Sequence, residues 1–122
     1  MAHLPTILIV DDDPAIRKML VEMLSLEGYP TETAAHGREA LDILDKGNSR
    51  VVLLDLLMPV VDGRGVIDAL RASGARSLHK VILVSALSYL EQNRDLEPDG
   101  TLTKPFNLSQ LLNVLAPLGA SV

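Results

Sequence analysis

A doubly wound α/β domain built on a five-stranded parallel sheet is what this sequence predicts, and three observations carry the prediction. Short apolar runs alternate along the chain with segments of helical period. The central runs are continuously apolar rather than alternating, so the strands they form are covered on both faces. Four of the runs are followed by a polar or charged spot: Asp11-Asp12, Asp55, Ser85 and Lys104. Open α/β sheets bind ligands at the carboxyl ends of their strands, so these spots converge on one pocket.

Ile7-Leu8-Ile9-Val10 is the first strand. Asp13-Pro14 reads as a helix cap followed by proline at the first helical position, where its missing N–H costs nothing. Ile16, Met19, Leu20, Met23 and Leu24 form one apolar stripe on that helix, which Gly28 ends. Tyr29 to Ala34 alternates as a short strand does, and Gly37 precedes a helix that buries Ala40, Leu41 and Leu44 and closes near Gly47-Asn48. Val51 to Leu54 is the third strand. The loop Met58-Pro59-Val60-Val61-Asp62-Gly63 leads into a third helix with Val66, Ala69 and Leu70 inward, stopping around Ser73-Gly74. Lys80 to Val84 is the fourth strand. Leu87 to Pro98 mixes a helical signal at Tyr89-Leu90 with loop residues Asn93, Asp95 and Glu97-Pro98-Asp99-Gly100, which predicts a shortened or irregular fourth helix. Thr101 to Lys104 is the fifth strand, stopped by Pro105 before a last helix with Leu108, Leu111, Leu112 and Leu115 facing the core.

A length of 122 residues with 48% hydrophobic content suits a single domain over 1–122 with one core. Sixteen acidic against 11 basic residues give a net charge of -5, which opposes direct binding to nucleic acid or to an anionic membrane. The absence of cysteine excludes disulfides and thiolate metal sites, leaving oxygen or imidazole to hold any metal. No basic segment leads into a long apolar stretch at the amino terminus, and no apolar run approaches membrane-spanning length; a soluble, cytoplasmic chain is expected. His3, His36 and His79 share no ligand spacing and read as surface residues.

Asp13 takes the capping role, so Asp11 and Asp12 stand ahead of the helix as like charges. At a few ångströms such a pair costs about 1 to 4 kcal/mol unless something positive intervenes. Asp55 ends a run that is otherwise apolar, and buried carboxylates are rarely tolerated without pairing or metal coordination. Together the three carboxylates suit Mg²⁺ or Mn²⁺, hard cations that also accept a phosphate oxygen. Asp55 is then placed to attack phosphorus as a carboxylate nucleophile, giving an acyl phosphate. Lys104 can pair with one phosphoryl oxygen and Ser85 can donate its hydroxyl to another. Taken singly, each residue has an ordinary explanation as a cap, a turn or a solvated loop lysine. Their convergence at one end of one sheet is what points to chemistry.

The segments Ile7-Leu8-Ile9-Val10-Asp11-Asp12-Asp13, Ala35-His36-Gly37-Arg38-Glu39-Ala40-Leu41, Leu54-Asp55-Leu56-Leu57-Met58-Pro59, Asp62-Gly63, Val84-Ser85-Ala86 and Lys104-Pro105-Phe106 resemble the receiver domain of two-component response regulators, a CheY-like family. The separations, 44 positions from Asp11 to Asp55 and 30 from Asp55 to Ser85, agree with it. The resemblance implies a flavodoxin-like (βα)5 fold with strand order 2-1-3-4-5. It implies that Asp55 accepts a phosphoryl group from a phosphohistidine on a sensor histidine kinase or a histidine phosphotransfer protein. Asp12, Asp55 and the backbone carbonyl of Leu57 would ligate Mg²⁺, with Asp11 acting directly or through water. Ser85 and Lys104 would contact the phosphoryl oxygens, and the Lys104-Pro105 bond would be cis. The domain would catalyse its own phosphorylation and dephosphorylation with no external substrate. Its phosphorylated state would switch contacts with a downstream protein or a fused effector domain. Related aspartyl-phosphate phosphatases carry a second Asp two residues after the nucleophile as a general acid, and here that position is Leu57.

Three features depart from the family pattern. Thr101 stands three residues before the lysine, where Tyr or Phe is usual. Only 19 positions separate Ser85 from Lys104, a shorter step than is usual, and the missing length falls within Leu87 to Gly100. Leu57 and Leu87 occupy the two variable places flanking the phosphoryl group, where apolar side chains would exclude hydrolytic water. An altered output region also leaves a second reading, a receiver-like docking module that is not phosphorylated.

Overall fold

The computed structural model describes residues 4–119. Five parallel strands, β1 (Ile7–Val10), β2 (Thr31–Ala34), β3 (Val51–Asp55), β4 (Lys80–Ser85) and β5 (Gly100–Thr103), form one sheet in the order β2-β1-β3-β4-β5. Between and after them run α1 (Pro14–Leu26), α2 (Gly37–Leu44), α3 (Gly63–Ser73), α4 (Leu87–Gln92) and α5 (Leu108–Gly119). This is the predicted doubly wound architecture and strand order.

Alternation along the strands splits the core in two. Leu8, Val10, Val52, Leu54, Val81 and Leu83 meet α2, α3 and α4 on one face. Ile7, Ile9, Val51, Leu53, Ile82 and Val84 meet α1 and α5 on the other. Both sides of β1 and β3 are therefore buried, and each fully buried aliphatic side chain contributes about 1.5 to 3 kcal/mol. Edge strand β2 has only Ala34 buried, so its length is set less firmly. It begins at Thr31 rather than Tyr29, because Pro30 has no N–H for the ladder; its carbonyl instead accepts from the Ile7 N–H at 2.9 Å. At the other edge β5 runs from Gly100 to Thr103, which leaves Lys104 just beyond it with a cis bond to Pro105.

Caps fix where the helices start. The Asp13 carboxylate accepts the Ala15 N–H at 2.9 Å, as expected, and Asp62 accepts the Gly65 N–H at 2.8 Å. His36 Nδ1 accepts the Glu39 N–H at 3.2 Å, so His36 is half-buried as the cap of α2 rather than a plain surface residue. The shortened fourth helix is found: α4 has 6 residues and is followed by a 3-10 turn over Arg94–Leu96.

Two glycines set the loop after β3 in place by close approach. A Cβ on Gly63 would lie 2.7 Å from the Asp55 carbonyl oxygen, and one on Gly37 would lie 2.2 Å from the Val61 carbonyl oxygen. The Gly63 N–H donates to Leu56 O at 3.2 Å and the Gly37 N–H donates to Val61 O at 3.1 Å. The loop that follows Asp55 is thereby tied to the starts of α2 and α3.

Some sequence expectations need correction. Met19 and Leu108 are exposed, not inward. Met19 lies at the margin of a stripe centred on Leu20 and Leu24, and Leu108 precedes the first packed turn of α5. Ile67 is fully buried beside Val66 and Leu70, and Ala69 only partly. His79, read as a surface residue, is buried between a 3-10 turn (Arg76–Leu78) and β4, where Nδ1 accepts the Arg50 N–H at 3.1 Å. That N–H, just ahead of β3, needs an acceptor, and the ring supplies it. His3 lies outside the described residues. Among the described residues no helix is long and apolar enough to cross a membrane.

Candidate functional site

The parallel register brings the ends of four strands level. Val10 pairs with Leu54, Asp55 with Val84, and Ser85 with Thr103. The residues that follow or close those strands, Asp11, Asp55, Ser85 and Lys104, therefore share one rim of the sheet. Asp11, Asp55 and Ser85 are buried, Lys104 is half-buried and Asp12 is exposed.

Asp11 is held at every polar atom. Its N–H donates to Ala34 O at 3.2 Å, Oδ1 accepts the Asp13 N–H at 2.9 Å, and Oδ2 accepts Lys104 Nζ at 3.1 Å. Its carbonyl accepts Arg17 Nη1 at 2.7 Å. Asp55 Oδ1 accepts the Leu57 N–H at 3.1 Å, and Oδ2 accepts Lys104 Nζ at 3.3 Å. One ammonium thus bridges two buried carboxylates. The Lys104 N–H donates to Ser85 O at 2.9 Å, which ties the backbone of the amine to that of the hydroxyl residue. Leu57 stands two residues beyond the end of β3, with its side chain exposed.

Burial pushes the Asp55 carboxyl above its ordinary range, and the neighbouring Asp11 adds to this; the Leu57 N–H and Lys104 oppose the rise without cancelling it. For Lys104 the balance runs the other way. Burial pulls its amine down, but the hydrogen bond to Asp11 and the charges of Asp55 and Asp11 outweigh it, so the ammonium is held above its ordinary value. The asymmetry follows from numbers: Lys104 faces two acids, whereas Asp55 shares a single amine with a like-charged neighbour.

Asp11, Asp12 and Asp55 each offer a carboxylate oxygen, and these lie within 4.8 Å of one another. The donors of this group are all oxygen, and three carboxylates against one ammonium leave the pocket short of positive charge. That chemistry fits a hard divalent cation such as Mg²⁺. The side chains of Asp11, Asp12, Asp55 and Lys104 meet here, and the register of β4 brings Ser85 to the same rim. Sequence reasoning missed Arg17, because a basic residue on an amphipathic helix carries no signal that separates a backbone clamp from a solvated surface.

The family model of the response regulator receiver domain matches residues 7–116. The response regulator MprA of Mycolicibacterium vanbaalenii is 42% identical over 108 residues, which is 87% of this chain and 46% of that protein. A probable transcriptional regulator, ycf27 of Porphyridium aerugineum, is 36% identical over 86% of this chain and 44% of its own length. The chain spans about half the length of the curated relatives it matches, 46% and 44% here. Among solved structures, the chemotaxis response regulator CheY4 of Vibrio cholerae superposes with a TM-score of 0.85 at 32% identity, over 94% of this chain and 98% of that one. The response regulator TrrA of Thermotoga maritima, solved in complex with Mg²⁺-BeF, gives 0.82 at 35% identity, over 94% and 99%.

Proposed function

The chain belongs to the response regulator receiver domain family, and from that premise we propose that residues 1–122 form a single receiver domain in which Asp55 is the phosphoacceptor. The observation that carries the reading is the ammonium of Lys104 set at 3.1 Å from Asp11 and 3.3 Å from Asp55, beside a third carboxylate.

The phosphoryl donor is a phosphohistidine on a sensor histidine kinase or a histidine phosphotransfer protein. A carboxylate oxygen of Asp55 forms the new P–O bond while the P–N bond breaks, and the electron pair leaves with the imidazole. Such a transfer asks for positioning and charge stabilisation more than for covalent chemistry from surrounding groups. The Leu57 N–H and Lys104 orient the Asp55 carboxylate before the donor arrives. Lys104 then pairs with a phosphoryl oxygen, and the hydroxyl of Ser85 donates to another. Asp11, Asp12, Asp55 and the Leu57 carbonyl would hold Mg²⁺ or Mn²⁺, which supplies neutralising charge for the phosphoryl oxygens when bound. Attack of water on the same phosphorus returns the free aspartate, so both steps use one set of residues.

An apolar groove of about 460 Å³, lined by Ile16, Met19, Lys104, Pro105 and Phe106, adjoins the site at Lys104, and it would give the donor protein a surface to seat on. The exposure of Met19 fits this role. Exchange takes place in the cytoplasm, and the phosphorylated state acts on a downstream protein or a fused effector domain.

The test is incubation with acetyl phosphate or phosphoramidate and Mg²⁺, followed by intact mass. The native chain gains one phosphoryl group and Asp55→Asn gains none. A native chain of unchanged mass would overturn the proposal and favour a docking role.

A further inference from the structure

Resting on the reading of the acidic pocket as a divalent-cation site, we propose that Arg17 is a positioning residue for it, gripping the peptide group that aims Asp12. The carbonyl that accepts Arg17 Nη1 at 2.7 Å belongs to the peptide joining Asp11 to Asp12. A peptide group is planar, so fixing its oxygen fixes the direction in which the chain enters Asp12. The Arg17 backbone N–H also donates to Asp13 O at 3.1 Å. Arg17 is thus bonded to both residues that bracket Asp12.

Asp12 depends on that grip more than its neighbours do. Asp11 is anchored by side-chain bonds to Asp13 and Lys104, and Asp55 by bonds to Leu57 and Lys104. Asp12 is exposed, and among the described residues its carboxylate has no hydrogen bond or ion pair. Its backbone is what sets the carboxylate at the same rim as the other two. The placement of Arg17 supports a specific task as well. It lies near the start of α1, where the helix dipole favours acidic residues over basic ones, yet it turns back to the loop instead of extending into water.

The experiment compares the native chain with Arg17→Met, Arg17→Gln and Arg17→Lys. Mn²⁺ binding is read by electron paramagnetic resonance, with Mg²⁺ as competitor, and phosphorylation by phosphoramidate is followed across a Mg²⁺ titration. Loss of a group that orients a metal ligand weakens metal binding by about tenfold or more, and that is the loss expected for R17M and R17Q. The Mg²⁺ concentration for half-maximal rate rises in step, while the rate at saturating Mg²⁺ stays within about twofold of native, the split expected when only cation binding is impaired. R17K restores part of the affinity, because an ammonium still offers the carbonyl a donor but lacks the planar fork. Arg38→Met, which breaks an exposed pair with Asp42, leaves Mn²⁺ affinity at the native value. R17M that is folded by thermal melting and binds Mn²⁺ as the native chain does would overturn the proposal, and the same result from R17Q would do so if R17M does not fold. A native chain that binds no Mn²⁺ would instead remove the cation-site reading, and this inference with it.

Discussion

At the scale of single residues, Val60 has a left-handed backbone with φ 71, which a β-branched side chain adopts only under constraint. The constraint is visible on both sides, since Val61 O accepts the Gly37 N–H and Leu56 O accepts the Gly63 N–H. With 80% of Val60 exposed, packing returns little of a backbone cost of about 1 to 2 kcal/mol. Asparagine tolerates that conformation better, so Val60→Asn should stabilise the domain by about 1 kcal/mol in urea unfolding. An unchanged or lower stability would show that the loop bears no strain there. Leu57 and Leu87 are 54% and 57% exposed, and on the proposed reading these are the two places that flank the phosphoryl group, where an apolar side chain would hinder hydrolytic water. The phosphorylated state should therefore be long-lived, and Leu57→Asn should speed its decay about tenfold, equivalent to roughly 1.4 kcal/mol on the barrier. Decay is measured in Mg²⁺ by intact mass; loss of the native acyl phosphate within seconds would rule the effect out. Asp11, Asp55 and Lys104 were legible in the sequence because a charge ending an apolar run is an anomaly. Val60 was not, since Pro59-Val60-Val61-Asp62-Gly63 reads as an ordinary loop whatever its dihedral angles.

At the scale of elements, apolar period located the five strands and the five α-helices, and the loop residues within Leu87 to Pro98 showed that the fourth helix is cut short. What holds the segment after that helix was hidden. Arg64 donates to Asp95 at 2.9 and 2.8 Å and to Asn93 Oδ1 at 2.7 Å, Arg71 donates to Leu96 O at 2.7 Å, and Arg76 donates to Glu97 O at 3.1 Å. The hydrogen bond from Arg64 holds the Asp95 carboxyl below its ordinary value. No sequence pattern announces that α3 and the turn after it will face this segment, because the partners lie more than 20 positions away and most of the acceptors are neutral oxygens. The contacts differ in worth. Arg64 and Asp95 are solvent-exposed, and such pairs add little. Arg71 reaches a partly buried carbonyl, and that bond is worth about 1 kcal/mol. Arg71→Met should accordingly raise amide exchange across residues 94–99 by roughly fivefold and leave Asp55 phosphorylation at the native rate. Unchanged exchange there would mean that α3 does not restrain the segment.

At the scale of the whole molecule, the sheet carries charge at both ends, and the amino ends were the less legible. Arg50 is buried in an ion pair with Glu32 and donates through Nη1 to Asn48 O at 2.8 Å, while its backbone N–H is taken by His79. Arg50 and His79 each sit just ahead of an apolar run and read as loop residues. Their contact exists only because β3 and β4 lie side by side, with Val51 opposite Lys80. The acceptor role of Nδ1 places the proton of the neutral ring on Nε2, which is buried with no partner among the described residues. Around the ring stand Arg50 and Arg76, the latter donating to the His79 carbonyl at 3.1 Å. Burial first, then the charges of Arg50 and Arg76, hold the imidazole below its ordinary value of 6.5. Protonation would cost the bond to the Arg50 N–H and set a third cation among two. Below pH 6.5 the unfolded chain takes up a proton that the folded chain refuses, so stability must fall as the medium becomes more acidic. Above that pH the ring is neutral in both states and its contribution is complete. The slope from one such group reaches at most about 1.4 kcal/mol per pH unit. Urea unfolding between pH 8 and pH 5 would show it, with His79→Asn as the comparison, since its side-chain oxygen can still accept the Arg50 N–H but takes no proton in this range. The acid-side loss should be steeper in the native chain than in H79N, whose stability at pH 8 should be lower for want of the ring. Parallel slopes for the two proteins would mean that the imidazole charges as readily in the fold as in water, and that the amino end of the sheet does not enforce its neutral state.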